Sequence, residues 1–264
     1  MLTLLTYALV GALAGVLAGL FGIGGGLIIV PALTALWVIQ GASLDIAVPM
    51  AIASSLGAML LTSAASIWAH HMRGSVRWPV VWRLGPATAA GALIGAWLAT
   101  QIDGQTLARV FAAIVLVIAV PMLRHQPPSP TTSATAPLSL PQYWPVLGPG
   151  IGLLSALAGI GGGSFNVPYL LRNGQRMVDA VGTAAACGWP IALGGVIGFI
   201  ITGHDLVRWP QAWGYLNGPA MLAIGVFGAV TAPLGAHLAH RLPAQHLRRL
   251  FGLLLCLVAL RMAW

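Results

Sequence analysis

Long apolar runs, cut by short polar breaks, fill almost the whole chain, and several reach about 20 residues, enough to span a bilayer as helix. Strict apolar–polar alternation, the mark of an outer-membrane barrel strand, is absent. The runs predict a first segment from Leu2 to Phe21, a glycine-rich break, and a second segment to about Gln40 that holds Pro31. A third begins near Ser43 and Asp45 and ends near His71, a fourth covers Pro79 to Thr100, and a fifth covers Gln105 to Leu123. A sixth runs from Trp144 to Ile160 and meets a second glycine break. A short seventh spans Gly163 to Leu171, an eighth Val178 to Thr202, a ninth Trp209 to Arg241, and a tenth starts at Ala244. The fold class is thus an all-α polytopic membrane protein. Its N-terminal repeat covers residues 1–123 and its C-terminal repeat residues 143–264, with a Pro/Ser/Thr-rich linker over 124–142.

Composition sharpens this picture. The chain is 58% hydrophobic and 6% charged, against about 25% charged residues in a soluble domain. The formal net charge of +8 comes from arginine alone, since lysine and glutamate are both missing. In a soluble chain that balance would suggest nucleic acid. Here the arginines sit in loops, where they set topology and meet anionic lipid headgroups, and no interleaved aromatics offer to stack bases. The partners expected are therefore the lipid bilayer and a small anionic substrate, with no nucleic acid. Cys187 and Cys256 lie far apart in apolar segments and match no metal or redox spacing, so no metal and no cofactor is expected. Most tryptophans, including Trp78, Trp82, Trp144, Trp209, Trp213 and Trp264, fall near predicted segment ends, as interfacial anchors do.

The two halves repeat one another. Gly22-Ile23-Gly24-Gly25-Gly26 with Pro31 returns as Gly159-Ile160-Gly161-Gly162-Gly163 with Pro168. Val76-Arg77-Trp78-Pro79 returns as Val207-Arg208-Trp209-Pro210, and Gly95-Ala96-Trp97-Leu98-Ala99 as Gly235-Ala236-His237-Leu238-Ala239. Equivalent loops differ in charge: Arg73 and Arg77 in one half face a formally neutral Gly203–Arg208 stretch in the other, and Arg172 and Arg176 replace a loop holding only Asp45. That difference, with five segments per half, predicts inverted repeats. It puts the linker and the Arg73, Arg172 and Arg241 loops on the cytoplasmic side of a bacterial inner membrane.

Four glycines in five residues make poor helix. Deep in a bilayer such a break is tolerated only where protein or a wet cavity satisfies the backbone. Paired breaks in the two halves of a transporter point to its midplane site. Each break would start a half-helix, at Gly25 or Gly162, whose unpaired first-turn N–H groups and positive dipole end suit an anion. The candidate substrate-binding residues are Gly22, Gly24, Gly25, Gly26, Gly159, Gly161, Gly162 and Gly163. Hydroxyl or amide donors would come from Ser54, Ser55, Ser164, Asn166 and Thr183. Close helix packing is the competing account of the glycines, and it is the favoured one for Gly11, Gly15 and Gly19. Asp45 and Asp179 read as helix caps, Asp103 and Asp205 as loop acids, and His70 and His71 as interface residues.

The duplicated glycine motif ending in proline, together with Ala53-Ser54-Ser55-Leu56 and Val181-Gly182-Thr183-Ala184, resembles the TauE/SafE-type membrane transporters over nearly the whole chain outside the linker. The resemblance implies export of sulfite, sulfonates or related organosulfur anions. The leading reading is therefore a secondary transporter for a small sulfur-containing anion working by alternating access, with no catalytic residue. A passive anion channel shares the same site physics, and a non-transporting scaffold is a third option. An intramembrane serine hydrolase is a poor fit, because Gly162-Gly163-Ser164-Phe165 does not match G-x-S-G. Direction, coupling ion and oligomeric state, a homodimer included, are left open by the sequence.

Overall fold

The computed structural model describes residues 2–21, 25–123, 144–173, 175–204, 209–239 and 244–263. The linker, Gly22, Gly24, Asp205, His240 and Arg241 lie outside the described residues. Ten α-helices and one two-stranded hairpin make up the described elements. In the first half they are α1 (Leu2–Phe21), α2 (Gly26–Ile39), α3 (Leu44–Met72), α4 (Trp78–Ala99) and α5 (Gly104–Leu123). In the second they are α6 (Trp144–Ala158), α7 (Gly163–Arg172), α8 (Met177–Gly203), β1 (Ala212–Trp213), β2 (Leu216–Asn217), α9 (Gly218–Ala239) and α10 (Ala244–Ala263).

Two helices, α3 and α8, are long and apolar enough to cross a membrane. At 29 and 27 residues they run about 43 and 40 Å, beyond the roughly 30 Å of a hydrocarbon core. They pack against each other at the centre of the molecule, and the apolar core gathers around them. By contrast α2 and α7, of 14 and 10 residues, reach only about 21 and 15 Å and end partway across such a thickness.

The molecule is apolar on its outer surface. Leu5, Leu9 and Leu13 of α1, Val226 and Val230 of α9, and Leu253, Leu257 and Leu260 of α10 are exposed. Inside, large side chains such as Trp37, Phe111 and Phe199 pack among alanine, glycine and serine, and the small residues let backbones approach closely. A Cβ on Gly11 would stand 2.7 Å from the Ile224 Cα, and one on Gly15 would collide with the Gly228 carbonyl. The repeat brings the same contacts back with the halves exchanged. Gly148 and Gly152 of α6, the counterparts of Gly11 and Gly15, pack on Leu84, Ala87 and the Thr88 carbonyl of α4. Where Thr231 of α9 donates to the Ala12 carbonyl at 3.0 Å, its counterpart Gly91 of α4 presses on the Pro149 carbonyl. The two halves are thus interleaved: α1 lies along α9 and α6 along α4.

Three expectations need correction. The ninth helix starts at Gly218 rather than Trp209, because Gln211 to Asn217 form a hairpin paired Ala212 with Asn217 and Trp213 with Leu216. Asp45 does not cap its own helix. Its Oδ1 accepts from the Gly104 amide at 2.6 Å, so it caps α5 from the side, where Gly104 lies hard against the Leu44 backbone. Asp179 caps nothing either; it is buried between two arginines. Asp103, expected in a loop, accepts from the Thr106 amide at 2.8 Å at the start of α5. The Thr106 side chain first, and then this amide bond, hold its carboxyl below the usual range. One tryptophan departs from the interfacial pattern: Trp37 is fully buried and donates to the Tyr7 hydroxyl at 3.0 Å.

Candidate anion site at the glycine breaks

The second break is described in full, and each glycine in it has its own task. Gly159 ends α6 in a left-handed conformation, φ +59°. Its N–H donates to the Ala156 carbonyl at 3.3 Å and the Ile160 N–H to the Ser155 carbonyl at 3.0 Å, the two bonds of a Schellman cap. Gly161 leaves room for the Met59 methyl of α3. Gly162 is the N-cap of α7, and the Asn166 amide accepted by its carbonyl at 2.7 Å closes the first turn. Gly163 opens the helix. In the first break, Gly25 takes the matching N-cap place, with the Ile28 and Ile29 amides on its carbonyl, both at 3.0 Å. Gly25 and Gly162 are thus N-caps rather than first helical residues, α7 starts at Gly163 as the short seventh segment predicts, and neither half-helix has a side-chain cap. Their first N–H groups have no partner within the helix and carry the positive dipole end.

The two breaks touch. A Cβ on Gly26 would collide with the Gly159 carbonyl oxygen, so glycine alone lets α2 begin there. The same carbonyl accepts from Ser55 Oγ at 2.9 Å. Ser55 is fully buried near the middle of α3, and Gly188, its counterpart at the repeat offset, lies near the middle of α8. A Cβ on Gly188 would be 3.6 Å from the Gly162 nitrogen. Two long helices thus hold the breaks at their mid-depth, one with a hydroxyl and one with an open face.

Asn166 completes the arrangement. It is fully buried in the first turn of α7, and its side chain folds back onto Gly162. Among the described residues, neither its Nδ2 nor its Oδ1 has a hydrogen-bond partner. Each buried orphan costs about 1–3 kcal/mol. The counterpart of Asn166 in the first half is Ile29, which packs in the apolar core. Ser164, at the second position of α7, is half-buried.

Two other sequence candidates are engaged away from the breaks. Ser54 Oγ accepts from the Asn217 amide at 3.0 Å and so ties the hairpin to α3, while Asn217 Oδ1 accepts from the Ala220 amide at 3.0 Å and caps α9. Thr183 Oγ1 accepts from the Arg77 amide at 3.0 Å. Beside it, Arg77 Nη2 and Arg176 Nε reach Asp179 Oδ2 at 3.0 and 2.9 Å, which clamps the α3–α4 loop to the start of α8. The bonds to Asp179 raise Arg176 above the usual guanidinium range, so it stays charged. The hairpin had a readable signal: Pro79 and Gly95 are 16 residues apart, whereas their counterparts Pro210 and Gly235 are 25 apart. Gly188 also had one, as the repeat partner of Ser55.

Comparison with known proteins agrees with this architecture. The "Sulfite exporter TauE/SafE" family model matches residues 7–262. A "probable membrane transporter protein" of Haemophilus influenzae is 36% identical over 96% of both chains. One of Xylella fastidiosa is 30% identical over 96% of this chain and 92% of its own. Another, MJ0441 of Methanocaldococcus jannaschii, is 24% identical over 96% and 93%. No solved structure matches. The chain, a helical membrane protein, belongs to the TauE/SafE sulfite exporter family of membrane transporters.

Proposed function

We propose that this protein is a secondary transporter that exports a small sulfur-containing anion, sulfite or a sulfonate, across the bacterial inner membrane by alternating access. The contact of Gly26 with the Gly159 carbonyl, at the mid-depth of α3 and α8, carries this reading. It brings the start of α2 and the break before α7 together at one level. Two half-helix N-termini at that level stabilise an oxyanion without a buried arginine, and glycine lets the anion's oxygens come close to the backbone amides. The halves are read as inverted repeats, with the linker and the Arg73, Arg172 and Arg241 loops cytoplasmic. The exchanged contacts of α1 with α9 and α6 with α4 support a two-fold relation between the halves. Rocking one half against the other would then open the same site to each side in turn. Tight packing at Gly26 favours such a carrier over a standing pore.

The test is flux into proteoliposomes. Sulfite uptake should saturate with concentration, show counterflow when the lumen is preloaded, and fall at least tenfold in Gly26→Val. Linear, unsaturable flux would support a channel instead. No flux of sulfite, thiosulfate, sulfate or sulfonates would remove the substrate class.

A further inference from the structure

The breaks repeat, but their chemistry does not. In the first half the position equivalent to Asn166 is the apolar Ile29, and Ser55 is already committed to the Gly159 carbonyl. In the second half Asn166 keeps both a donor and an acceptor unused, beside the α7 N-terminus and opposite the side-chain-free Gly188.

A fully deprotonated oxyanion or a sulfonate head offers only acceptors. It would satisfy Nδ2 and the first-turn amides of α7, and set its lone pairs against Oδ1. A singly protonated oxyanion has one oxygen that accepts and one hydroxyl that donates, spaced like the two atoms of a carboxamide. Resting on the transport reading above, we propose that Asn166 selects this species: the cargo is a monoanion with a hydroxyl, such as hydrogen sulfite. It accepts from Asn166 Nδ2 and donates to Asn166 Oδ1, with its charge against the start of α7. In this conformer α7 lies closed on α8, and the loaded form parts them by the width of the anion.

The pH response then comes from the ligand. α7 carries Tyr169 and Arg172, α8 carries Asp179 and Cys187, α4, packed on α7 through Val80 and Leu170, carries Arg83, α3 carries Asp45, His70 and His71, and α6 has no titratable side chain. None of them hydrogen-bonds Asn166.

Binding of sulfite and of methanesulfonate to the purified protein, followed by calorimetry across the pH range where sulfite loses its last proton, tests this. Wild type should bind hydrogen sulfite about tenfold or more tighter than the dianion, and tighter than methanesulfonate, whose binding should not vary with pH. Asn166→Leu removes both orphans with the same branching and heavy-atom count, so it should fold and melt higher; its sulfite profile should be flat and level with methanesulfonate. Asn166→Asp, which at high pH offers acceptors alone, should weaken every anion. Equal binding of dianion and monoanion by wild type, or an unchanged preference in Asn166→Leu, overturns the assignment and leaves the transport reading standing. Binding of neither anion at any pH overturns both.

Discussion

Gly159, Ser55 and Gly26 meet at one carbonyl oxygen, and each fails differently when changed. Gly159→Ala forces a Cβ into a left-handed backbone, at about 1–2 kcal/mol, and within 2.8 Å of Val30 Cγ2. A lower melting temperature in detergent should report it. Ser55→Ala leaves the Gly159 carbonyl buried without its donor, a loss of about 1–3 kcal/mol, and should also depress transport; Ser55→Thr, which keeps a hydroxyl, should recover most of the stability. At this scale the sequence was informative about where the backbone breaks, because consecutive glycines have few other uses inside an apolar run. It was silent about tasks. That Gly159 caps α6 while Gly162 starts α7 depends on which carbonyl each faces. That Ser54 turns to Asn217 and Thr183 to Arg77, rather than both to the breaks, depends on residues more than 100 positions away.

Among the described residues, several polar ties between elements span long distances in sequence. Asp179 joins α8 to the α3–α4 loop through Arg77 and Arg176, whose side chains are largely exposed, so the pair is screened by solvent. Asp179→Asn should therefore lower stability by only about 1 kcal/mol, yet loosen the Ser75–Arg77 loop from its seat at Gly182. Faster tryptic cleavage at Arg77 would report that; unchanged cleavage would mean packing alone holds the loop. Close glycine contacts carry more. Gly15→Leu and Gly152→Leu break equivalent contacts, α1 with α9 and α6 with α4, and should lower the melting temperature by similar amounts. Helix limits were legible from apolar runs and glycine or loop punctuation, so most ends fall close to expectation. The start of α9 was not, because Trp209, Ala212, Trp213 and Leu216 are as apolar as a helix would need. Only the unequal spacing of the repeated motifs marks the hairpin. The acids at Asp45 and Asp179 look like caps because both sit in a first turn; burial against another element redirects them.

Over the whole molecule, scarcity of charge and repetition of sequence fixed the broad design. A chain with so few charged residues turns leucine and valine outward and brings its helices together where small residues line the contacts. Two copies of a motif that stops helices then leave two helix beginnings inside, and the interleaved packing brings their breaks together. The central claim is that an anion is held there. Selenite, the heavier analogue of sulfite, locates it directly by anomalous scattering from crystals grown with the anion. The account predicts one strong peak between the first turns of α2 and α7, within hydrogen-bonding distance of Asn166 and weakened in Asn166→Leu. A peak elsewhere in the membrane-embedded part, or none there at saturating selenite, would contradict it.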